Sequence, residues 1–246
     1  MDKKKLCAVV TGGARGIGAA IVKRLVEDSF GSVILLDLDL AAAEESALQI
    51  DPSGATVHPY ACNVSDAAQV SDVFRKIAEE WGTVSVLVNN AGITRDAMFH
   101  KMTQAQWDAV INVNLNGMFH TCHAVIGAMR AQKYGKIVNL ASVSAFGNIG
   151  QSNYGAAKAA VIGFTKCLAR ESARNNITVN AVAPSYVNTD MLRAVPEETM
   201  QRFIDAVPAH RLAEPSEIAS VVSFLCGDDS SFVTGECIVA SGGSYM

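Results

Sequence analysis

Short runs rich in apolar residues alternate along this chain with longer stretches whose apolar residues recur at helical spacing. The runs predict strands over 6–11, 32–38, 56–61, 84–89, 136–141, 178–183 and 237–240. Helical patterns fall between them, over 16–28, 40–49, 67–81, 104–132, 154–174 and 215–225. Strands without polar alternation belong to a parallel sheet covered on both faces, and the intervening helices supply the crossovers such a sheet needs. The expected fold is α/β, with about seven parallel strands and helices on both faces. No repeat, low-complexity tract or linker divides residues 1–246, so one domain is expected.

The rhythm breaks over 188–214. This stretch carries Pro196 and Pro208 and a short helical pattern over 197–206. A long excursion after a strand's carboxyl end suits a lid over a substrate. The 154–174 helix is apolar nearly all round, from Ala156 to Leu168, so it needs a partner on two sides. The sheet is one. A second copy of the chain is the other, through this helix and 104–132, in an expected homotetramer. Burial beneath the chain's own lid is the alternative.

A glycine-rich segment, Thr11-Gly12-Gly13-Ala14-Arg15-Gly16-Ile17-Gly18, joins the first strand to the first helix. Strand, glycine turn and helix N-terminus together make an anion site, because backbone N–H groups and the helix dipole point at the phosphates. The spacing Gly-x-x-x-Gly-x-Gly differs from the usual dinucleotide fingerprint. Asp37 ends the second strand, about 20 residues on, where a carboxylate accepts from an adenosine ribose diol and repels a 2′-phosphate. It argues for NAD(H) over NADP(H). Arg15 argues weakly the other way, and Asp39 reads as a turn residue.

Tyr154 and Lys158 lie four apart in a predicted helix and so share a face. An ammonium one turn from a phenol is expected to favour the phenolate and bring it toward the range of a general acid–base.

Composition narrows the reading. Half of the 246 residues are hydrophobic and the formal charge is −4, which argues against a nucleic-acid binder. No apolar run approaches the roughly 18 residues of a membrane span, and the run after Lys5 is too short for a signal peptide. Six scattered cysteines, without a CxxC pair, read as reduced, buried thiols of a cytoplasmic protein. His120, Cys122 and His123 lack a further ligand, so no metal is expected.

Together these residues resemble the classical short-chain dehydrogenase/reductase family, almost end to end. The marks are Thr11–Gly18, Asp37, Asn63-Val64, Asn89-Asn90-Ala91-Gly92, Asn114, a serine near 142, Tyr154-x-x-x-Lys158 and the stretch from Pro184 to Thr189. Within the family, four segments look like 3-oxoacyl-acyl-carrier-protein reductases: 90–96, 147–154, Thr189-Asp190-Met191 and the terminal Gly242-Gly243-Ser244-Tyr245-Met246. The resemblance implies a Rossmann-type, doubly wound sheet. It also implies hydride transfer between a nicotinamide cofactor and a carbonyl or secondary alcohol, here a 3-oxoacyl thioester of acyl carrier protein or CoA. Tyr154 would be the acid–base, and Lys158 would lower its pKa and bind the nicotinamide ribose. Asn114, rather than neighbouring Asn112 or Asn116, would hold a water linking Lys158 to solvent. Gly12, Arg15, Gly16, Ile17, Gly18, Asp37, Asn63, Val64, Asn90, Ala91, Gly92, Pro184, Val187 and Thr189 would line the cofactor site.

Two departures stand out. The family's catalytic serine commonly falls where this chain has Ala141, one residue before Ser142. A one-residue deletion before Gly147 assigns the role to Ser142, with Ser144 as the alternative. Ser185 follows Pro184 where glycine is usual, so a locally altered loop is expected there. The reductases it resembles usually take NADPH, against the reading of Asp37. An acidic carrier protein needs a basic patch, which Arg130, Lys133, Lys136, Arg170 and Arg174 could form or merely hold as a solvated face. Two further readings are a dehydrogenase of a hydroxysteroid, polyol or other alcohol, and a noncatalytic nucleotide sensor.

Overall fold

A computed structural model describes residues 2–189, 192 and 196–245 of the chain. Asp190, Met191 and Met246, which carry part of the family pattern, lie outside the described residues. Each predicted strand forms, within a residue or so of its expected bounds: β1 Cys7–Thr11, β2 Ser32–Asp37, β3 Val57–Ala61, β4 Val84–Asn89, β5 Gly135–Leu140, β6 Ile177–Pro184 and β7 Cys237–Ala240. They pair in parallel in one seven-stranded sheet of order β3-β2-β1-β4-β5-β6-β7. This is the expected Rossmann-type doubly wound sheet. Chain order reverses between β1 and β4, and that switch point opens a crevice outside the strands' carboxyl ends.

The helices follow from the same alternation. They are α1 Gly16–Glu27, α2 Leu40–Ile50, α3 Ala67–Trp81, α4 Gln104–Ile111, α5 Gly117–Gln132, α6 Ser152–Ser172, α7 Glu197–Asp205 and α8 Pro215–Cys226. On one face of the sheet, Val10, Val33, Leu35 and Val88 pack with Ile21 and Leu25 of α1 and Ile218 and Val222 of α8. On the other, Val9, Ile34, Leu87 and Ile137 pack with Phe74 and Ile77 of α3, Met129 of α5 and Val161 of α6. Side chains alternate between the faces, so strands apolar on both sides are what two covered faces demand, with Asn89 of β4 and Lys136 and Asn139 of β5 among the buried polar exceptions. Pro59 sits in β3, at the sheet edge, where a strand tolerates a missing donor.

One expectation changes. The 104–132 pattern predicted a single helix, but α4 and α5 are separated by a π turn over Asn112–Asn116. A π turn adds a residue without ending the helix, so the apolar pattern carries through it, and such turns often mark functional sites. Asn114 sits buried in its middle.

The described part of the lid stretch is tied at its base. Val187 and Ala213 form a parallel bridge, and the N–H of Asn188 donates to the Ala213 carbonyl at 2.8 Å. Beyond that clasp, α7 buries none of its residues, and Phe203 on it stacks against Tyr186 with centroids 4.4 Å apart. Ala156, Ala159, Gly163 and Cys167 leave an exposed strip of small residues on α6. The thiols are less uniform than expected: Cys167 is exposed and Cys237 half-buried, the other four buried. No helix among the described residues is long and apolar enough to cross a membrane.

Leu25, fully buried between α1 and the sheet, tests the packing of the α1 and α8 layer. Leu25→Ala should lower unfolding free energy by about 2–5 kcal/mol in urea titrations followed by circular dichroism.

Candidate active site

A cleft of about 680 Å³ opens at the switch point. The glycine loop after β1, Asp37 at the end of β2, Asn63 and Val64 after β3, and Asn90 to Gly92 after β4 line one part of it. Ser142 after β5, Tyr154 and Lys158 on α6, and Pro184, Val187 and Thr189 after β6 line the rest. All the expected site residues but Asn114 meet on this cleft. Asn114 lines a cavity of about 10 Å³ beside it, together with Thr11 and Lys158.

The glycine loop owes its shape to close approach. A Cβ on Gly18 would lie 1.9 Å from the Gly12 carbonyl oxygen, so only glycine lets α1 start this near β1. Arg15 precedes α1 in an extended conformation and makes no side-chain cap. The first-turn N–H groups of α1 therefore keep their capacity for an anion. Thr11 and Asn90 clamp the loop to β4. Thr11 Oγ1 accepts from the N–H of Asn90 and of Ala91, each at 3.0 Å. Asn90 Nδ2 donates to the carbonyls of Thr11 at 3.0 Å and Gly12 at 2.8 Å. The residues fit a dinucleotide's phosphates.

Asp37 is held by both oxygens. Oδ2 accepts from the Ala14 N–H at 3.1 Å and Oδ1 from the Asp39 N–H at 3.2 Å. Asp39 is more than the turn residue expected. It caps α2 through the Ala42 N–H and pairs with Arg15 at 3.2 Å. The guanidinium that could reach a 2′-phosphate is thus already matched to a carboxylate. Asn63 lines the cleft, but its Oδ1 turns back to accept from Ser65.

At the opposite end, Ser142 caps a short 3-10 turn over Val143–Phe146 and accepts from the Ser144 N–H at 3.1 Å. Its hydroxyl lies near enough to the Tyr154 phenol to favour the ionised form. Ser144 points elsewhere, donating to Gln151 Oε1 at 2.9 Å. Gln151 in turn donates to Asp96 at 2.9 Å and ties the loops after β4 and β5 to the start of α6. Asn153, fully buried, accepts from the Tyr154 N–H at 2.7 Å.

The electrostatics differ from the helical-spacing expectation. The Tyr154 phenol is pushed above its ordinary value, chiefly by burial; the Ser142 hydroxyl opposes this and the Asp96 charge adds to it. Burial brings Lys158 down from 10.5 to about 8. The α6 geometry sends Lys158 Nζ to the Leu140 carbonyl at 2.6 Å and leaves it 5.5 Å from the Tyr154 ring centroid. With the ammonium over the ring, desolvation outweighs its pull on the phenol oxygen. Asn114 Nδ2 donates to the carbonyls of Ile93 and Val110, each at 2.9 Å. Its buried Oδ1 accepts from no described group, and a Cβ on Gly92 would come within 2.6 Å of it. An acceptor so placed, beside a cavity near Lys158, fits a bridging water.

Ser185 does not distort its loop. Its N–H donates to the Ala240 carbonyl at 3.1 Å, and it is absent from the non-glycine residues with positive φ, namely Ser29, Lys133, Asn176 and His210. Tyr186 is a cleft residue that was not expected, although it lies inside the marked stretch from Pro184 to Thr189, since nothing in its spacing singles it out there. Ile93 and Thr94, within the 90–96 segment, and Leu192 also line the cleft, though none was expected as a site residue. His120 Nδ1 lies 3.0 Å from the Val64 carbonyl oxygen, a structural contact to the loop after β3.

The family model described as short chain dehydrogenase matches residues 6–200. The chain belongs to the short-chain dehydrogenase family, a class of oxidoreductases that use a nicotinamide cofactor. It is 45% identical to the acetoacetyl-CoA reductase of Shinella zoogloeoides, across 97% of this chain and 98% of that protein. It is 42% identical to the 3-oxoacyl-acyl-carrier-protein reductase of Thermotoga maritima and 43% to that of Escherichia coli strain K12, each across 97% of both chains.

Lys158 makes a testable linkage. Its folded value near 8 lies below the ordinary 10.5, so between these values the unfolded state binds more protons and stability rises with pH. The buried ammonium costs about 3 kcal/mol below pH 8, and that cost fades toward pH 10.5. The stability of Lys158→Met relative to the native protein should therefore fall by about that amount across this window, measured by urea unfolding at each pH.

Proposed function

We propose that this enzyme reduces the keto group of a 3-oxoacyl thioester, carried on CoA or acyl carrier protein, with NADH as hydride donor. One observation carries the reading: Ser142, Tyr154 and Lys158 converge on the cleft that also contains the glycine loop and Asp37. The printed names of its relatives, acetoacetyl-CoA reductase and 3-oxoacyl-acyl-carrier-protein reductase, support the substrate class.

A nicotinamide dinucleotide bound along the cleft supplies the hydride. Tyr154 is the proton donor; burial keeps its hydroxyl protonated at neutral pH, as reduction requires. Ser142 donates a hydrogen bond to the keto oxygen as negative charge develops there. Lys158, mostly ammonium below its value near 8, stabilises the tyrosinate left after transfer. Asn114 Oδ1 holds the water through which Lys158 and Tyr154 recover a proton from solvent. Pro184, Val187 and Thr189 would hold the nicotinamide, and Tyr186 stacked on Phe203 would support the described part of the lid, clasped at Val187 and Ala213, as a cover for the acyl group.

NADH is the preferred donor because Asp37, fixed by two backbone N–H groups, would repel a 2′-phosphate. The Arg15–Asp39 pair supports this by neutralising the nearby cation. For a carrier-protein substrate the docking surface is Arg130, Lys133, Arg170 and Arg174. Lys136 leaves that patch, because β5 buries it beneath the Tyr134 ring. The exposed small residues of α6 support a homotetramer in which α5 and α6 pack against a second copy. Six free thiols suit a reducing cytoplasm.

An activity matrix tests the reading by crossing NADH and NADPH with acetoacetyl-CoA, an acyl-carrier thioester, a ketosteroid and a polyol. NADH with a thioester should give the highest kcat/KM, and no rate with either thioester would overturn the substrate class. Tyr154→Phe should lower kcat by about 10²–10⁴-fold while still binding NADH; a noncatalytic sensor would be indifferent to the change in its signalling. Asp37→Ser should raise the NADPH-to-NADH ratio of kcat/KM by about tenfold or more. A native enzyme already faster with NADPH would refute the cofactor preference.

A further inference from the structure

Four buried polar side chains lie behind the cleft without an assigned role, and one of them, Asn89, also lines the small cavity beside Asn114 and Lys158. Asn89, at the end of β4, and Asn139, on β5, are direct partners in the sheet register. Asn89 Nδ2 donates to Asn139 Oδ1 at 2.9 Å. From one side, Thr121 Oγ1 on α5 donates to Asn89 Oδ1 at 2.6 Å. On the other, Asn139 Nδ2 donates to Thr165 Oγ1 on α6 at 2.9 Å. Donors run one way across the layer, from Thr121 through Asn89 and Asn139 to Thr165. Thr121 and Asn139 are 0% exposed and Thr165 1%, so water offers no replacement partner.

The two ends of this bridge match the chemistry. Thr165 follows Lys158 by seven residues, and Thr121 follows Asn114 by the same interval. Seven residues are about two α-helical turns, so Thr165 lies below Lys158 on much the same face of α6, while Thr121 follows Asn114 across the end of the π turn into α5. The same two strands lead directly into Asn90 to Gly92 and into Ser142. Apolar contacts between helix and sheet are non-directional and leave the height of a helix weakly specified. Hydrogen bonds are directional, and a buried amide left unpaired loses its desolvation cost without return.

We propose that the Thr121–Asn89–Asn139–Thr165 bridge sets the height of Lys158 and Tyr154 against Asn114. Asn89 and Asn139 are then positioning residues for proton transfer. They touch neither substrate nor cofactor and act through the two helices. The inference rests on the roles assigned above to Tyr154, Lys158 and Asn114.

Thr165→Val keeps the side-chain shape and removes the hydroxyl acceptor; Thr165→Ser restores it. Thioester reduction is measured at saturating NADH across pH 6–10, with NADH affinity from fluorescence and stability from urea unfolding. Thr165→Val should lower kcat about tenfold and shift the midpoint of its pH profile, with NADH affinity unchanged. Thr165→Ser should recover most of the rate. Thr121→Val approaches the bridge from the other helix and should move the same two quantities, so a failure of the first variant to fold leaves the test intact. Lower urea midpoints with kcat and pH profile unchanged would make the bridge merely structural and overturn the proposal. Turnover that survives Tyr154→Phe would instead remove the reading beneath it, so the two failures are distinguishable.

Discussion

The clamp between Thr11 and Asn90 is the contact on which the rest of the site depends. It spans β1 and β4, where the order of the sheet reverses and the crevice opens. Thr11 Oγ1 receives two backbone N–H groups from the β4 side, and Asn90 Nδ2 reaches back to two carbonyls of the glycine loop. The loop after β1 would otherwise carry unpaired backbone groups in a semi-buried crevice, an expensive arrangement. With the clamp in place, the glycine-loop end and the Tyr154 end of the cleft share one frame. Gly18 completes that frame by letting α1 begin against the Gly12 carbonyl.

Burial, more than pairwise charge, governs the acid–base end. Tyr154 and Lys158 both shift toward their neutral forms because the packed helix removes them from water. The lysine spends its strongest hydrogen bond on the Leu140 carbonyl at the end of β5. A tyrosine kept protonated and a lysine poised near neutral pH suit donation to a carbonyl oxygen better than a resting phenolate would. Of the groups around the phenol, the Ser142 hydroxyl is then the one that favours proton release.

Much of this architecture was legible in the chain. Runs rich in apolar residues located the strands, because a sheet covered on both faces shows little regular polar alternation. The glycine spacing, Asp37, and the Tyr154 and Lys158 pair likewise marked residues that the fold brings to one cleft. Other features were hidden. The π turn at Asn112–Asn116 inserts a residue without a break in the apolar pattern. Tyr186 entered the cleft from a loop with no periodicity to read. Lys136 looked like a surface cation until β5 placed it under Tyr134.

By itself, the sequence determined the order of elements, the parallel sheet and the identity of the residues at the strands' carboxyl ends. Those properties follow from local periodicity and from glycines that only a tight turn requires. Tertiary structure decided what those residues do to one another: the sign of the Tyr154 shift, the pairing of Arg15 with Asp39, and the choice of Ser142 over Ser144 as the neighbour of Tyr154. Desolvation and hydrogen-bond geometry depend on segments far apart in the chain, from β1 to α6, and no spacing rule along one segment contains them.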